Sequence, residues 1–203
     1  MQIDQALRRQ LIEAMAATVE AHWQELTALD QAIGDGDHGT GMKRGFDAVL
    51  ANADKLAEQP LPAGLRGLGQ TLVMSMGGAS GPLYGTFFME LGKALDESPD
   101  RAAFAAGFAR AMAAVGARGK SEPGQKTLLD VLAPVSKALA ENETPAGIAR
   151  IAAEAVEATV PMQALRGRAA FLGPRSVGHM DPGARSASLI IGAVCAVLEG
   201  KSG

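Results

Sequence analysis

The sequence predicts an all-α protein of eight helices, arranged as an antiparallel up-and-down barrel or bundle with a ligand site at one end. Three observations lead there. The first is composition: 47% of the residues are hydrophobic but only 4% aromatic, so the apolar content is mostly Ala, Leu, Val and Met. Ala and Leu are strong helix formers, and runs of β-branched residues are scarce. The second is periodicity, since apolar residues recur at helical spacing and no alternating strand or hairpin signal interrupts them. The third is that plain and glycine-rich connections alternate along the chain.

The first predicted helix covers about residues 2–28, with Ile3, Leu7, Leu11, Met15, Val19, Trp23 and Leu26 on one face. The second spans about 40–54 and carries Phe46, Val49 and Leu50. The third covers about 63–76 through Leu65, Leu68 and Leu72, and the fourth about 82–96. Ser98 as N-cap, Pro99 at the first helical position and Asp100 in the first turn open the fifth, which ends near Gly116. The sixth spans about 126–140 and contains Pro134, expected to kink it or mark a boundary. Thr144 and Pro145 open the seventh, which reaches about 160–165, and Asp181 and Pro182 open the eighth, which runs to Glu199.

The connections at 56–62, 96–99 and 141–145 are short and plain. Those at 30–41, 77–85, 116–126 and 167–183 are rich in glycine and in charged or hydroxyl side chains. Short connections favour antiparallel neighbours. With helices alternating up and down, every odd-to-even connection lies at the same end, so the four special loops meet at one rim. That rim also gathers the N-termini of the even-numbered helices, whose free N–H groups suit phosphate oxygens.

Charge and length narrow the function further. The 203 residues are read as one domain, 1–203, able to bury a core without disulfides or structural metal. A formal net charge of −3 argues against a nucleic-acid groove, which needs a basic face. The single cysteine, Cys195, lies in an apolar run and reads as a buried thiol in a reducing cytoplasm. That run, 189–198, is about half the length of a membrane span, and the N-terminus shows no secretory pattern.

The first special loop places Asp30, Asp35 and Asp37 within eight residues, interleaved with glycines. Converging carboxylates repel, by roughly 4 kcal/mol per pair at 4 Å and an effective dielectric near 20, and call for a cation. Hard oxygen ligands favour Mg²⁺ or Ca²⁺, and no Glu stands where an EF-hand needs one. A solvated acidic turn capping the next helix has the same residue types. In the second loop, Gly77-Gly78-Ala79-Ser80-Gly81-Pro82 permits close backbone approach to a ligand, with Ser80 a phosphate-binding hydroxyl rather than a nucleophile. The third loop mixes charge and turn residues without a specific pattern. The fourth is long, and its Arg168 and Arg175 are candidates for stabilising phosphate charge.

Together, Asp30-x4-Asp35-x-Asp37-His38-Gly39, the Gly77–Pro82 run, Lys126-Thr127-x-x-Asp130, and Gly167-Arg168-Ala169 through Asp181-Pro182-Gly183-Ala184 resemble the nucleotide-binding L subunit of dihydroxyacetone kinase (the DhaL family). The motifs run from about residue 29 to 184 in the family's order. The resemblance implies an eight-helix barrel in which Asp30, Asp35 and Asp37 hold two Mg²⁺ ions bridging the phosphates of ADP or ATP. It implies that His38, Gly39, Thr40, Gly41, Ala79 and Ser80 contact the nucleotide, chiefly its phosphates. Gly119, Leu128, Arg168, Asp181, Pro182 and Gly183 complete the pocket, with Arg168 in the catalytic role. The sequence departs from the family at Gly41, where relatives often carry Asn.

The resemblance further implies a partner K subunit that holds dihydroxyacetone covalently on a histidine and receives the γ-phosphoryl across the interface. At 203 residues the chain is too short to include a K domain. A phosphohistidine on an M subunit of the phosphotransferase system would recharge the retained ADP, although other relatives use free ATP. Two other readings fit the same residues. One is a Mg²⁺-dependent hydrolase of phosphate or ADP-ribose bonds using a metal-bound water. The other is a non-catalytic, nucleotide-loaded module docking on a transcriptional regulator or another kinase subunit.

Overall fold

A computed structural model describes residues 3–200. Among them are nine α-helices and no strand: α1 Gln5–Ile33, α2 His38–Ala51, α3 Ala53–Glu58, α4 Leu61–Ser75, α5 Ser80–Ala94, α6 Arg101–Gly119, α7 Leu129–Ala140, α8 Pro145–Glu157 and α9 Pro182–Glu199. A stretch of 3₁₀ turns, Arg168–Ser176, precedes α9 and is kinked at Gly173. The predicted start of the first helix, at residue 2, lies outside the described residues.

The eight long helices form a closed ring. Neighbours in the order α1, α2, α4, α5, α6, α7, α8 and α9 pack on one another, and α9 returns to α1. The ninth helix, α3, is a short addition packed on α1 and α4. It fills the connection expected to be plain. The long helix before it breaks at Asn52, whose side-chain amide donates to the Ala48 carbonyl instead of prolonging the helix.

Side-chain caps set several boundaries. Asp4 accepts from the Leu7 N–H at 2.8 Å, Thr144 from Gly147 at 3.1 Å and Asp181 from Ala184 at 2.7 Å. Pro145 and Pro182 follow their caps directly, where a missing N–H costs nothing. The fifth predicted helix begins later than expected. Its cap is Asp100, not Ser98, because the Asp100 carboxylate reaches the Ala103 N–H at 2.7 Å and leaves Pro99 outside the helix. Pro134 does not mark a boundary, since α7 runs through it. The seventh predicted helix stops earlier, at Glu157.

One side of the barrel core joins α1, α2, α4 and α5 through Met15, Val19, Phe46, Leu72 and Phe88. The other joins α6 to α9 through Phe108, Val131, Val135, Val156 and Ala187. An apolar cavity of about 230 Å³ lies between them. Helices α4 and α5 meet backbone to backbone: a Cβ at Gly69 would lie 2.6 Å from the Gly85 carbonyl oxygen. By length and composition α9 is apolar enough to cross a membrane. In this fold it packs between α1 and α8, with Ala184, Ala187, Ile190 and Cys195 buried. Burial pushes the Cys195 thiol up to about 11, so it stays protonated and unreactive.

Candidate functional site

The helices place all four special loops around one cavity of about 270 Å³. Its first wall begins inside a helix, not a loop. Helix α1 continues past residue 28 because Ile33 packs against Ala164 and Ala169, and this puts Asp30 in its last turn. Asp30 is buried, and its carboxylate accepts from the His38 N–H at 3.1 Å, binding the end of α1 to the start of α2. Between them, Gly36 at φ +77° lets the chain reverse, which leaves Asp35 and Asp37 exposed on the cavity side.

Ligand oxygens of Asp30, Asp35 and Asp37 lie within 4.8 Å of one another. Asp37 shows the resulting strain: its carboxyl is held above the usual range by burial first, then by the charges of Asp35 and Asp30. Arg168 and Arg44 offset only part of this. The direct cationic partner in the cluster is Arg168, whose Nε sits 2.8 Å from Asp35 Oδ2 in an exposed pair. Hard oxygen donors at this spacing, with more negative than positive charge, fit Mg²⁺.

The second loop approaches the acidic cluster closely, since a Cβ at Gly78 would lie 3.6 Å from an Asp37 carboxylate oxygen. Gly77 and Gly78 both have positive φ, and Arg44 holds the preceding turn by donating to the Ser75 and Met76 carbonyls at 2.6 and 2.8 Å. In the third loop, Asp130 accepts from the N–H groups of Gly124 at 2.5 Å and Thr127 at 2.7 Å. Lys126 has φ +62°, which is incompatible with helix and explains why α7 starts after residue 126. Its buried ammonium donates to the carbonyls of Met162 at 2.9 Å and Ser176 at 2.6 Å, fastening the fourth loop, and burial lowers its pKa.

The fourth loop is ordered by such ties rather than structureless. Ser176 Oγ accepts from the Ala164 N–H and donates to the Gly173 carbonyl, and Arg166 reaches Gln125. Asp181 is buried at the start of α9. Its pKa is raised to about 7, chiefly by burial, against the N–H of Ala184 that favours the carboxylate.

Of the residues singled out from sequence, Asp30, Asp35, Asp37, His38, Ala79, Ser80, Leu128, Arg168, Asp181, Pro182 and Gly183 line this cavity. Gly39, Thr40, Gly41 and Gly119 do not. A Cβ on Gly39 would strike the Trp23 carbonyl and the Thr27 side chain, and one on Gly41 would lie 2.9 Å from the Met76 carbonyl oxygen. Both glycines therefore let α2 approach its neighbours. The Thr40 hydroxyl donates back to the Asp37 carbonyl at 3.0 Å. Gly119 closes α6, where a Cβ would meet Ser121 and Leu83. Arg175 is exposed away from the cavity wall.

Lys126, Tyr84 and Thr127 line the cavity but were not among the sequence candidates. Lys126 and Thr127 belong to a motif that was noticed, and Tyr84 follows Ser80 by four residues, on the same face of α5.

Helices α2, α5 and α9 begin at the cavity wall, with His38, Ser80 and Pro182 as their first residues, and Leu128 is the N-cap of α7. A helix start carries N–H groups without helical partners and a partial positive charge, worth about 0.3–1 kcal/mol toward an anion; here the N–H groups of His38, Leu129 and Ala184 are taken by the side chains of Asp30, Thr127 and Asp181. Facing them is a carboxylate trio suited to a hard cation. This pairing defines a protein that binds a polyanion together with a metal, the arrangement phosphate esters of nucleotides require.

Residues 32–196 match the DAK2 domain, and the chain belongs to that family. The ADP-binding subunit DhaL of the PEP-dependent dihydroxyacetone kinase of Escherichia coli (strain K12) is 42% identical over 171 residues, covering 79% of this chain and 81% of its own length. The corresponding subunit of PEP-dependent dihydroxyacetone kinase 1 from Listeria innocua is 40% identical, covering 87% and 88%. Among solved structures, the dihydroxyacetone kinase from C. freundii in complex with AMP-PNP and Mg²⁺ is similar with a TM-score of 0.75 and 27% identity. The match covers 94% of this chain and 34% of that one, so the chain spans about a third of that kinase.

Proposed function

We propose that this chain is the ADP-binding subunit of a PEP-dependent dihydroxyacetone kinase, passing a phosphoryl group from Mg²⁺-bound nucleotide to dihydroxyacetone held on a separate K subunit. The observation that carries this is the acidic trio of Asp30, Asp35 and Asp37, at the start of α2, sharing one cavity with the starts of α5, α7 and α9. Asp30, Asp35 and Asp37 would hold Mg²⁺, which when bound neutralises phosphate charge and polarises the transferring group. The remaining work belongs to the chain itself. N–H groups at the starts of α5 and α9, those of Ala79, Ser80 and Gly183, bind and orient phosphate oxygens, while the His38 N–H stays with Asp30. Ile33, Leu83, Leu128 and Ala169 give the cavity an apolar lining that limits water. Arg168 spends its Nε on Asp35, and its remaining N–H donors are free to meet charge on the transferring phosphate.

In this reading the ketose sits on the K subunit, and activation of the acceptor hydroxyl falls to that partner. The rim is where that partner docks, and a phosphohistidine-bearing M subunit uses the same opening to recharge ADP. Contact with a transcriptional regulator would compete for this rim. The buried lone thiol of Cys195 suits the cytoplasm, where such a phosphotransferase system works.

Native mass spectrometry of the gently purified protein tests the proposal. Retained ADP with Mg²⁺ is the expected result. Steady turnover of phosphate or ADP-ribose esters by the isolated chain would replace the kinase reading with the hydrolase.

A further inference from the structure

Arg168 is weakly held by its own side chain. Among the described residues its one ion pair is with Asp35, at 2.8 Å, and that pair is exposed. An exposed pair fixes a long side chain poorly and is screened by salt. Asp35 is also a candidate ligand of the cation, which draws on the same carboxylate. The place of the guanidinium therefore depends on the backbone of the fourth loop.

That backbone is fastened at the base of the loop. The Gly178 N–H donates to the Val160 carbonyl at 2.8 Å, and the Ala164 N–H donates to Ser176 Oγ at 2.9 Å, so the two sides of the loop run together. Lys126, 1% exposed, reaches across from the third loop and joins those sides. Its Nζ donates to the Met162 carbonyl on one side at 2.9 Å and to the Ser176 carbonyl on the other at 2.6 Å. Gln125, the residue before it, accepts from the Leu165 N–H at 3.2 Å through its carbonyl and from Arg166 Nε at 3.1 Å through its side chain. Arg168 stands two residues further on, beside Ala169, which packs against Ile33.

A plain loop tie does not require a lysine here. Lys126 has φ +62°, a conformation that costs a residue with a Cβ, and its buried ammonium meets backbone carbonyls rather than a carboxylate. Such features persist where the surroundings over-determine them, and they gather at functional sites. A linear apolar side chain of similar length would avoid the desolvation, but it could hold neither carbonyl.

We propose that Lys126 is a positioning residue for phosphoryl transfer: by stapling the two sides of the fourth loop at Met162 and Ser176, it sets where Arg168 stands at the mouth of the cavity and acts on transfer through that arginine. This rests on the reading of the chain as the nucleotide-carrying half of a kinase. The staple matters most once the cation occupies Asp35, because the loop backbone is then what holds the guanidinium near the transferring phosphate. A displacement of about 1 Å is enough to cost a large factor in rate.

A double-mutant cycle in reconstituted phosphotransfer tests this, at saturating Mg²⁺-ADP with the K subunit present and helix content followed by circular dichroism. Lys126→Met should lower the transfer rate about tenfold and leave Mg²⁺-ADP affinity within about threefold of wild type. In an Arg168→Ala background the same substitution should change the rate by less than about twofold, because the group it positions is gone. A purely structural Lys126 would lower the rate by the same factor in both backgrounds, and that result overturns the proposal. So does an unchanged rate, or a loss confined to Mg²⁺-ADP affinity. Where Lys126→Met does not fold, Lys126→Gln, which keeps a donor on a shorter side chain, carries the same cycle with a smaller loss that again vanishes with Arg168. Failure of both variants to fold would make Lys126 a folding residue and end its positioning role. No transfer by the wild-type chain with its partners would remove the kinase reading itself, whereas transfer that responds independently to the two substitutions removes only the role of Lys126.

Discussion

Replacing Asp37 with Asn should change stability in opposite directions with and without ligand. The amide keeps the shape and removes one charge, and no cap is lost because the Asp37 side chain makes no capping hydrogen bond to α2. Carboxylate oxygens of Asp30, Asp35 and Asp37 lie within 4.8 Å. At that separation a pair repels by about 0.9 kcal/mol in bulk water and about 3.5 kcal/mol at an effective dielectric of 20. Asp35 and Asp37 are exposed, which places the cost near the lower figure, and Arg168 and Arg44 return part of it. Relief of two pairs should therefore stabilise the metal-free protein by about 1–2 kcal/mol, or roughly 2–8 °C for a domain of this size. Wild type should gain about 4 kcal/mol from Mg²⁺-ADP at a thousandfold excess over its dissociation constant, and EDTA should abolish that gain. Asp37→Asn should lose most of it. Differential scanning calorimetry in EDTA and in Mg²⁺-ADP measures both effects. A variant that melts lower than wild type in EDTA, or keeps the full ligand shift, would refute the assignment of these carboxylates to a cation.

Three further outcomes are expected. Asp181 has its pKa raised from 3.8 to about 7, so its contribution to stability is intact below about pH 4 and is lost as pH rises through about 7, by on the order of 4 kcal/mol. Asp181→Asn, which retains a good N-cap, should thus become more stable relative to wild type between about pH 5 and pH 8, and a flat difference in melting temperature would show that Asp181 is ionised throughout. Arg168→Lys should slow reconstituted phosphotransfer while barely changing stability, because its pair with Asp35 is exposed; unchanged transfer with a lowered melting temperature would make it a brace for the loop. Gly39→Ala should cost about 1–3 kcal/mol by forcing α2 away from the Trp23 carbonyl, read by urea unfolding, and a neutral substitution would mean that α1 and α2 have room to separate.

What the sequence made legible was periodicity and punctuation. Eight long helices could be counted from apolar spacing, and the alternation of plain and glycine-rich connections placed the four loops at one rim, where they line a common cavity. Local patterns failed where a tertiary contact decided the outcome. Helix α1 outruns its expected end because Ile33 finds Ala164 and Ala169, more than a hundred residues away in sequence. The choice of Asp100 over Ser98 depended on which side chain reached the free N–H groups. Lys126 stands where the third loop meets the sixth predicted helix, and its burial depends on the carbonyls of Met162 and Ser176, which are distant in sequence. Hydrogen bonds among the side chains of His38, Ser186 and Tyr84 join residues up to 148 positions apart, which no spacing rule detects. Gly39 belongs to a motif that resembles nucleotide-binding sequences and Gly41 departs from the family pattern, yet in the fold the lack of a side chain at both serves helix packing.

The division of labour between this chain and a ketose-binding partner is tested most directly by reconstituted phosphotransfer. The purified chain, loaded with Mg²⁺-ADP, would be combined with a dihydroxyacetone-binding K subunit and a phosphoenolpyruvate-driven phosphotransferase system, and dihydroxyacetone phosphate would be followed over time. Product should form only when chain and K subunit are both present, and should fall sharply with Asp37→Asn. Product without this chain, or phosphorylation of free dihydroxyacetone by this chain alone, would contradict its role as the nucleotide-carrying half of a split kinase.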